Sequence, residues 1–463
     1  MGNKDRAETW HTAVVLVVLT GADYRRAHEA CHKTAMIWNE LVLVQRAHWE
    51  TRKADPSRAE LYAATYALDP VLLELHSHTK QAVVEDLLNA VSTYRTNRKA
   101  GLKCRAPHRA KAYRPLTFTR RFGWRTTPNG RLALSLGRGR ARIILALPVL
   151  TDPSTKLPVP ASEWGEVRLC WDRDGRRWAL HIAVPTEPDP ALDRSRIMGV
   201  DEGIINSMTL AVATSDGFAV TVINGRHARS VKHRRNTTVA HLARLQSKCT
   251  RGSRRWCKLD KARKKAQFAA ANGLRNVDHQ VSRKVANLAV AHDTGTIMLG
   301  DVRGIEKNTL RTERRRAGRH QRRRLSQWSR GRQERYLREK TSADVSHINE
   351  AYSSKTCPAC LSRNRPSGRN YQCQTCGFTA HRDAVGAINI LMRATHGEYR
   401  RIDPNAIIRV TYLRATPIVV AARSRAENPA TPTLCSVDVT MGSAPVQPQA
   451  LPSGTVDRKV NAA

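Results

Sequence analysis

Four cysteines in the segment "TCPACLSRNRPSGRNYQCQTCGF" have the spacing of a metal site. They form two Cys-x-x-Cys pairs, Cys357 with Cys360 and Cys373 with Cys376, and twelve residues separate the pairs. Each Cys-x-x-Cys turn directs two thiolates to one point, and two turns together supply the tetrahedron that Zn²⁺ prefers. Because all four positions would be filled by protein, the spacing predicts a structural zinc site; the alternative is four unligated thiols.

Asp383 follows the last cysteine by seven positions, in "HRDAVGAINIL", at the start of an apolar helix. The His-Arg-Asp triplet is similar to a protein-kinase catalytic loop, which requires an asparagine after four intervening residues. Here Asn389 comes after five, and the sequence has neither a kinase glycine-rich loop nor Asp-Phe-Gly. These differences exclude a kinase and leave Asp383 as either a helix N-cap or a metal ligand.

The presence of Asp201 favours metal binding over N-capping as the role of Asp383. It ends a short apolar strand in "IMGVDEG". One acid after a first strand and another at the start of a late helix is how RNase H-type nucleases hold Mg²⁺. Two such ions stabilise the attacking water and the leaving oxygen of a phosphodiester, and Mg²⁺ needs only a few carboxylates. Asp201 and Asp383 are therefore predicted catalytic residues and magnesium ligands.

The composition points to a nucleic-acid partner. The chain has 463 residues, with 79 Lys and Arg against 39 Asp and Glu, and a formal net charge of +40. Such a charge repels itself unless an anionic polymer neutralises it; a ribosome-associated or chromatin-like structural protein is the alternative. No apolar run is long enough to span a membrane, and the chain is predicted to be cytoplasmic.

Hydrophobic periodicity divides the chain into blocks. A buried strand at 12–20 precedes a helical block, and alternating β-type patterns follow from 116 to about 185. From residue 197 the order is strand, hairpin, basic helices and strand, which is that of an RNase H-type α/β domain. Residues 311–340 contain thirteen Lys or Arg and three acids, with Trp328 and Tyr336 interleaved. The nucleic-acid-binding candidates in this segment are Arg322, Arg323, Arg324, Arg330 and Arg332.

The order of motifs from "GVDEG" through "YSSKTCPAC" and "CQTCGF" to "HRDAVGAINIL" resembles the transposon-encoded TnpB or OrfB-type family, which is related to the type V CRISPR effectors. The resemblance covers 196–392 well and 12–190 only in domain order. It implies a multidomain α/β fold: an RNase H-like (RuvC) nuclease domain with an inserted four-cysteine zinc knuckle, after a β-barrel wedge domain with a helical insert. The expected boundaries are 1–22 first wedge strand, 23–103 helical recognition insert, 104–190 wedge barrel, 191–350 RuvC-like domain, 351–378 zinc knuckle, 379–400 last RuvC helix and 401–463 disordered tail.

The resemblance also implies a function, that of an RNA-guided DNA endonuclease. The expected partners are a guide RNA from the transposon end and a double-stranded DNA target, so that base pairing reads the sequence while the protein reads the backbone and a flanking motif. The expected cofactors are structural zinc, catalytic magnesium and the guide RNA. Such a protein would work at the nucleoid of a prokaryotic cytoplasm.

One expected catalytic residue is missing. The family usually has Glu-Asp-Leu at the end of the second strand, with a catalytic glutamate, whereas this chain has Gly300, Asp301 and Val302. A glutamate from the next helix could substitute, with Glu334 favoured over Glu339, although both could equally be salt-bridge partners. Alternatively, Asp301 could serve through an irregular strand.

Two other functions remain open at this point. If no carboxylate replaces the missing glutamate, the protein would be a nuclease-deficient, RNA-guided DNA-binding repressor. A DNA-strand-transfer transposase is less well supported, because no paired-histidine and tyrosine constellation for a covalent DNA link is evident.

Overall fold

The computed structural model describes twelve stretches of the chain: 9–19, 21–68, 70–102, 104–109, 112–120, 122–152, 157–172, 177–186, 190–303, 318–366, 368–415 and 436–439. The chain divides into two compact units, Met1–Asp189 and Pro190–Ala463, and each is described by itself. Within the described residues, no helix is both long and apolar enough to cross a membrane.

The first unit combines small antiparallel sheets with a helical block. Its largest sheet has four strands in the order β1-β9-β8-β2, and β1 and β9 are neighbours although most of the unit separates them in sequence. The strands of the unit are β1 Thr9–Val17, β2 Leu116–Phe118, β3 Trp124–Thr126, β4 Arg131–Leu134, β5 Ile143–Ala146, β6 Leu150–Thr151, β7 Pro158–Val159, β8 Val167–Asp172 and β9 Arg177–Thr186.

Four helices lie between β1 and β2 in sequence: α1 Gly21–Thr51, α2 Arg58–Tyr66, α3 Pro70–Leu73 and α4 Ser77–Lys99. The long helix α1 buries a stripe that includes Ala27, Cys31, Trp38 and Leu41, with the spacing of three and four residues that places side chains on one helix face. Helix α2 begins with a capping box between Ser57 and Glu60. This stripe packs with sheet residues such as Phe118 and Leu180 in one core.

The second unit is built on a mixed sheet of seven strands in the order β14-β13-β10-β11-β12-β17-β18. The central strand β10 pairs antiparallel with β11 and parallel with β13, and β13 pairs parallel with β14. The strands are β10 Ile197–Glu202, β11 Asn206–Thr214, β12 Gly217–Asn224, β13 Thr296–Gly300, β14 Asp344–Ile348, β17 Ile407–Arg414 and β18 Ser436–Val439.

Helices cover both faces of this sheet, which makes the unit an α/β domain. One core joins the sheet to α6 and α8, and the other joins it to α9 and the cysteine-rich segment. The helices are α5 Arg226–Gln246, α6 Arg254–Ala291, α7 Arg319–Ser326, α8 Arg330–Arg338 and α9 Arg382–His396, and the cysteine-rich segment carries a hairpin of β15 Asn370–Gln372 and β16 Thr379–His381.

Gly199 allows α9 to approach β10 closely. A Cβ at this position would lie 2.5 Å from the backbone nitrogen of Leu391 and 2.6 Å from the carbonyl oxygen of Ala387. Any side chain here would push the helix off the sheet. Because Gly199 and Asp201 share one face of the strand, this contact also places α9 directly over Asp201.

The predicted disorder of residues 401–463 is wrong for the segment 407–414. These residues form β17, which pairs parallel with β12 along its whole length and also with Ser436–Val439. The apolar side chains of Ile408 and Val410 are buried against the α9 side of the sheet. The alternation of apolar and polar residues in "IIRVTYLR" was the available signal for this strand. Beyond residue 415, the part of the predicted tail that the structure describes is Ser436–Val439.

Candidate carboxylate site and cysteine cluster

Gly300, the last residue of β13, lies level with Asp201, the last residue but one of the adjacent parallel strand β10. Their strands are in register, with Val200 opposite Leu299, so the next pair along the strands is Asp201 and Gly300. Side chains alternate between the faces of a sheet, and this pair lies on the face that α9 covers. A Cβ at Gly300 would indeed lie 2.9 Å from Cδ1 of Ile390 on that helix. A side chain at position 300 would therefore stand beside that of Asp201.

Asp383 in the first turn of α9 belongs to the same group. Its negative charge, together with burial and the charge of Glu350, raises the pKa of Asp201 well above the ordinary value, and burial is the largest cause. Two donors hold the Asp383 carboxylate: Nδ2 of Asn206 at 2.8 Å and Nη1 of Arg369 at 2.9 Å from Oδ2. The helix thus brings Asp383 to the strand end, as the sequence spacing suggested.

Glu350 supplies a third carboxylate, from a position that the sequence analysis did not consider. It follows β14, the strand adjacent to β13, and its Oε2 lies 2.5 Å from where a Cβ of residue 300 would be. Its carboxylate thus occupies the space that the missing side chain of Gly300 leaves open. Burial and the charge of Asp301 raise the pKa of Glu350 to about 7, although Arg330 opposes the shift.

Asn389 holds the segment that carries Glu350 against α9. This fully buried side chain donates from Nδ2 to the carbonyl oxygens of Ser353, at 2.7 Å, and Thr356, at 2.8 Å. The backbone nitrogen of Ser353 in turn donates to the carbonyl oxygen of Glu350 at 2.9 Å. Asn389, whose spacing does not fit the kinase pattern, therefore links the segment after β14 to α9, the helix that bears Asp383.

Glu334 does not join this group, and its position does not support its prediction as the third carboxylate. It lies on α8, whose Leu337 packs in the core on the opposite face of the sheet from α9. Its carboxylate is buried beside Nε of Arg330 at 3.3 Å and Nε2 of His347 at 3.1 Å. Its charge acts on Glu202, the neighbour of Asp201 that points to this other face, and with burial it raises the pKa of Glu202 to about 9.

The two other candidates for the third position, Asp301 and Glu339, are each paired with an arginine. Asp301 accepts hydrogen bonds from Arg303, with Nη2 at 2.6 Å and Nε at 2.8 Å, which lowers the pKa of Asp301 below its usual range. Glu339 ends α8 on the surface, with Nε of Arg335 at 3.5 Å from its carboxylate. Neither arrangement places a free carboxylate next to Asp201.

The four cysteines come together as their spacing predicts. Their sulfur atoms all lie within 4.8 Å of one another. The Sγ atoms of Cys357 and Cys376 are 3.6 Å apart, and those of Cys360 and Cys373 are 3.5 Å apart. Although burial opposes the shift, hydrogen bonds from the Ser362 hydroxyl and from backbone amides lower the pKa of Cys373 to about 5. Four converging sulfurs, one of them readily ionised, fit a tetrahedral Zn²⁺ site.

Arg369 connects the cysteine cluster to the carboxylates. It lies between the two cysteine pairs, and besides its contact with Asp383 its carbonyl oxygen accepts from the backbone nitrogen of Arg382 at 2.7 Å. The folding of the cysteine-rich segment therefore determines where the guanidinium group of Arg369 lies beside Asp383. The sequence analysis missed this residue, since a single arginine in a basic chain carries no distinguishing signal.

The five arginines predicted to bind nucleic acid fall into two sets. Arg322, Arg323 and Arg324 are exposed on α7. Arg330 contacts Glu334, and Arg332 donates from Nε at 2.6 Å to Asp278, which is 1% exposed. The last two guanidinium groups thus serve ion pairs within the fold.

Residues 332–390 match the family model described as Cas12f1-like, TNB domain. The matched residues include Glu350, the four cysteines and Asp383. The match confirms the resemblance to the TnpB-like type V effectors that the motif order indicated.

A related sequence is the CRISPR-associated endodeoxyribonuclease Cas12f1 of Sulfoacidibacillus thermotolerans, 25% identical over 233 residues. The alignment covers 48% of this chain and 52% of that protein, so the chain spans about half the length of this relative.

Among solved structures, a Cas12f1–sgRNA–target DNA complex is similar with a TM-score of 0.48 and 12% identity, over 79% of this chain and 81% of that one. The mini-RNA-guided endonuclease CRISPR-Cas_phi3 has a TM-score of 0.42 and 10% identity, over 85% and 94%.

Proposed function

We propose that this chain is an RNA-guided DNA endonuclease of the transposon-encoded TnpB type, with Asp201, Asp383 and Glu350 as its catalytic carboxylates. The observation that carries the proposal is the position of Glu350, whose carboxylate fills the place of the side chain that Gly300 lacks. It supports a complete set of three acids, with Glu350 in the role that the sequence analysis gave to Glu334. The match of residues 332–390 to the Cas12f1-like TNB domain supports the same class of protein.

The three carboxylates fit Mg²⁺ in donor chemistry, because oxygen ligands in small number are what this ion takes from proteins. When bound there, Mg²⁺ would supply the charge that stabilises a phosphodiester in hydrolysis. The chain itself supplies the positions. Strand β10 and helix α9 orient Asp201 and Asp383, and Asn389 fastens the strand end that carries Glu350.

Mutual repulsion keeps this site ready for a cation. The pKa of Asp201 is raised by burial and by the charges of Asp383 and Glu350, so three ionised carboxylates are unfavourable without a positive partner. Asn206 and Arg369 hold Asp383 through two hydrogen bonds to one oxygen. That leaves its second oxygen available to a ligand.

The four cysteines would hold Zn²⁺ in a closed site with a structural role. Guide RNA and double-stranded target DNA are the proposed partners, for which the net charge of +40 supplies the electrostatic attraction. The protein would act in the cytoplasm of a prokaryotic cell, at the nucleoid.

The test uses the full chain co-expressed with RNA transcribed from its native transposon end. The bound RNA is recovered, its guide portion is reprogrammed, and cleavage of a plasmid library that carries the matching target is measured in Mg²⁺. Asp201→Asn, Asp383→Asn and Glu350→Gln are each expected to reduce cleavage by at least about 10²-fold, since each removes a charge that acts on the transition state. Glu334→Gln is the matched control, as it removes a carboxylate from the opposite face of the sheet.

Three outcomes would contradict parts of the proposal. Cleavage that survives Glu350→Gln but not Glu334→Gln would return the third role to α8. Guided binding without any strand scission by the wild-type protein would make the chain a repressor, with Gly300 as the cause. Covalent attachment of the protein to DNA ends would indicate strand transfer instead of hydrolysis.

A further inference from the structure

A small basic cavity with an aromatic wall lies in the helical block of the first unit. Its volume is about 370 Å³, and it is formed at the C-terminal ends of α1 and α4. We call this cavity the α1–α4 pocket. Its lining residues are Trp49, Lys53, Tyr94, Arg95, Arg98 and Lys99.

The aromatic wall consists of two neighbouring rings. Trp49 on α1 and Tyr94 on α4 have ring centroids 5.8 Å apart, and their planes are inclined by 34°. Both residues are only half-buried, and both line the cavity. An aromatic face that is open to a cavity is a surface on which a planar ring can stack.

Asp55 fixes this wall, although it does not itself line the cavity. Its Oδ1 accepts a hydrogen bond from Nε1 of Trp49 at 2.5 Å, and its Oδ2 lies 2.6 Å from Nε of Arg95. The Asp55 carboxylate thus joins α1 to α4 and neutralises Arg95. Lys53, which lies between the end of α1 and Asp55, has a left-handed φ of +55°. The wall is therefore held in place by the fold, without a ligand.

The other three cations of the pocket have no acidic partner. Lys53, Arg98 and Lys99 are exposed, and no described carboxylate lies within 4.0 Å of their nitrogen atoms. Basic side chains in the last turn of a helix also offset the partial negative charge of its C-terminus, which accounts for Arg98 and Lys99 in part. That effect does not account for the open aromatic wall beside them. The pocket therefore combines a stacking surface with unpaired positive charge.

We propose that the α1–α4 pocket binds one nucleoside phosphate. The base stacks on the rings of Trp49 and Tyr94, and the phosphate lies beside Lys53, Arg98 and Lys99. Stacking on aromatic rings accepts any base, because every base has a π-face. Charge-assisted hydrogen bonds from Arg and Lys are how proteins recognise phosphate. The volume of the pocket is at the lower end of the range for small-ligand sites, which suits a single nucleotide.

Two sources of this ligand share the same chemistry. One is a free nucleotide, and the other is an unpaired nucleotide within the RNA that the chain is proposed to carry. In either case the inference is independent of DNA cutting, because the pocket belongs to the first unit and the three carboxylates belong to the second.

The experiment labels the full chain with azido-ATP under ultraviolet light, with unlabelled ATP as the competitor, and identifies the labelled peptides by mass spectrometry. Label is expected in the peptides that carry Trp49 and Tyr94, and competition by ATP gives its affinity. The titration is repeated on the chain loaded with guide RNA. Equal labelling of the loaded protein would identify a free nucleotide as the ligand, whereas loss of labelling together with RNA cross-links at the same peptides would identify a nucleotide of the RNA. Label confined to other peptides, with no RNA cross-links at these two, would overturn the proposal.

Variants separate stacking from charge. Tyr94→Leu should weaken ATP binding by at least about fivefold, because one base–aromatic stack is lost, and Tyr94→Phe should restore it. Arg98→Gln with Lys99→Gln should weaken ATP binding by roughly tenfold, because charge-assisted hydrogen bonds to phosphate are lost.

The matched control is Arg25→Gln with Arg131→Gln, which removes the same charge from exposed positions on α1 and β4 that do not line the pocket. Its affinity for ATP should stay near the wild-type value. Equal losses in this control and in the charge variant of the pocket would mean that only net charge matters. That result would overturn the proposal, and so would unchanged binding by Tyr94→Leu.

Discussion

Gly300→Ala should disable cutting while leaving the fold nearly intact. The added methyl would stand 2.5 Å from Oε2 of Glu350 and 3.2 Å from its Cβ, where ordinary contact begins near 3.4 Å. The carboxylate would have to retreat by about 0.9 Å. A misplacement of about 1 Å in a catalytic arrangement costs about 10²-fold in rate. The clash with Cδ1 of Ile390 at 2.9 Å is an overpacking effect, which typically costs about 1–3 kcal/mol in the free energy of unfolding.

The assay is guided plasmid cleavage, measured together with guided DNA binding and thermal unfolding. Binding should be unchanged, since the methyl touches no basic surface, and cleavage should fall by about two orders of magnitude. Gly331→Ala is the control: it adds the same methyl on α8, where nothing lies within 4 Å of the new Cβ. If Gly300→Ala cut as fast as Gly331→Ala, the carboxylate of Glu350 would not be acting at this place and the third acid would have to be sought elsewhere.

Two further predictions concern structure away from the three acids. Exposure of the protein to a strong zinc chelator should release stoichiometric zinc, and Cys373→Ser should prevent zinc from binding. Either change should abolish cleavage, because the segment that positions Arg369 loses its order. An intact, cutting protein that never contains zinc would contradict the metal assignment. Arg332→Ala should lower stability by about 3–5 kcal/mol, measured by denaturant unfolding, because it leaves the buried carboxylate of Asp278 without its cation. Arg322→Ala on the exposed face of α7 is its control, and equal stability of the two variants would contradict this role.

The parts of the site that depend on local spacing could be predicted from the sequence. Two Cys-x-x-Cys turns bring their sulfurs together whatever surrounds them, and an acid near the end of an apolar strand lies close to the end of the sheet. Asp201 and the four cysteines therefore lie where their patterns indicated, and Asp383 comes to Asp201 because α9 packs on the strand through Gly199.

The third carboxylate could not be predicted in this way, because it depends on which strand lies next to which. Glu334 was favoured because it is isolated among arginines. That pattern is typical of a helix surface, and it does not indicate which face of the sheet the helix covers. Glu350 follows a strand, "DVSHI", whose alternation is weak and whose pairing with β13 joins residues more than forty positions apart. The burial of Glu334 beside His347 likewise depends on the packing of α8.

The position of Glu350 follows from a general property of parallel strands. Neighbouring parallel strands lie about 4.8 Å apart and end at a common edge, so a side chain one strand away can reach the same point in space. The missing side chain at Gly300 is therefore also what makes room for Glu350, because any side chain at position 300 would collide with this glutamate, which follows β14. The requirement of this chemistry is a carboxylate at one place beside Asp201 and Asp383, and a chain can meet it from either strand so long as the other strand leaves that place empty.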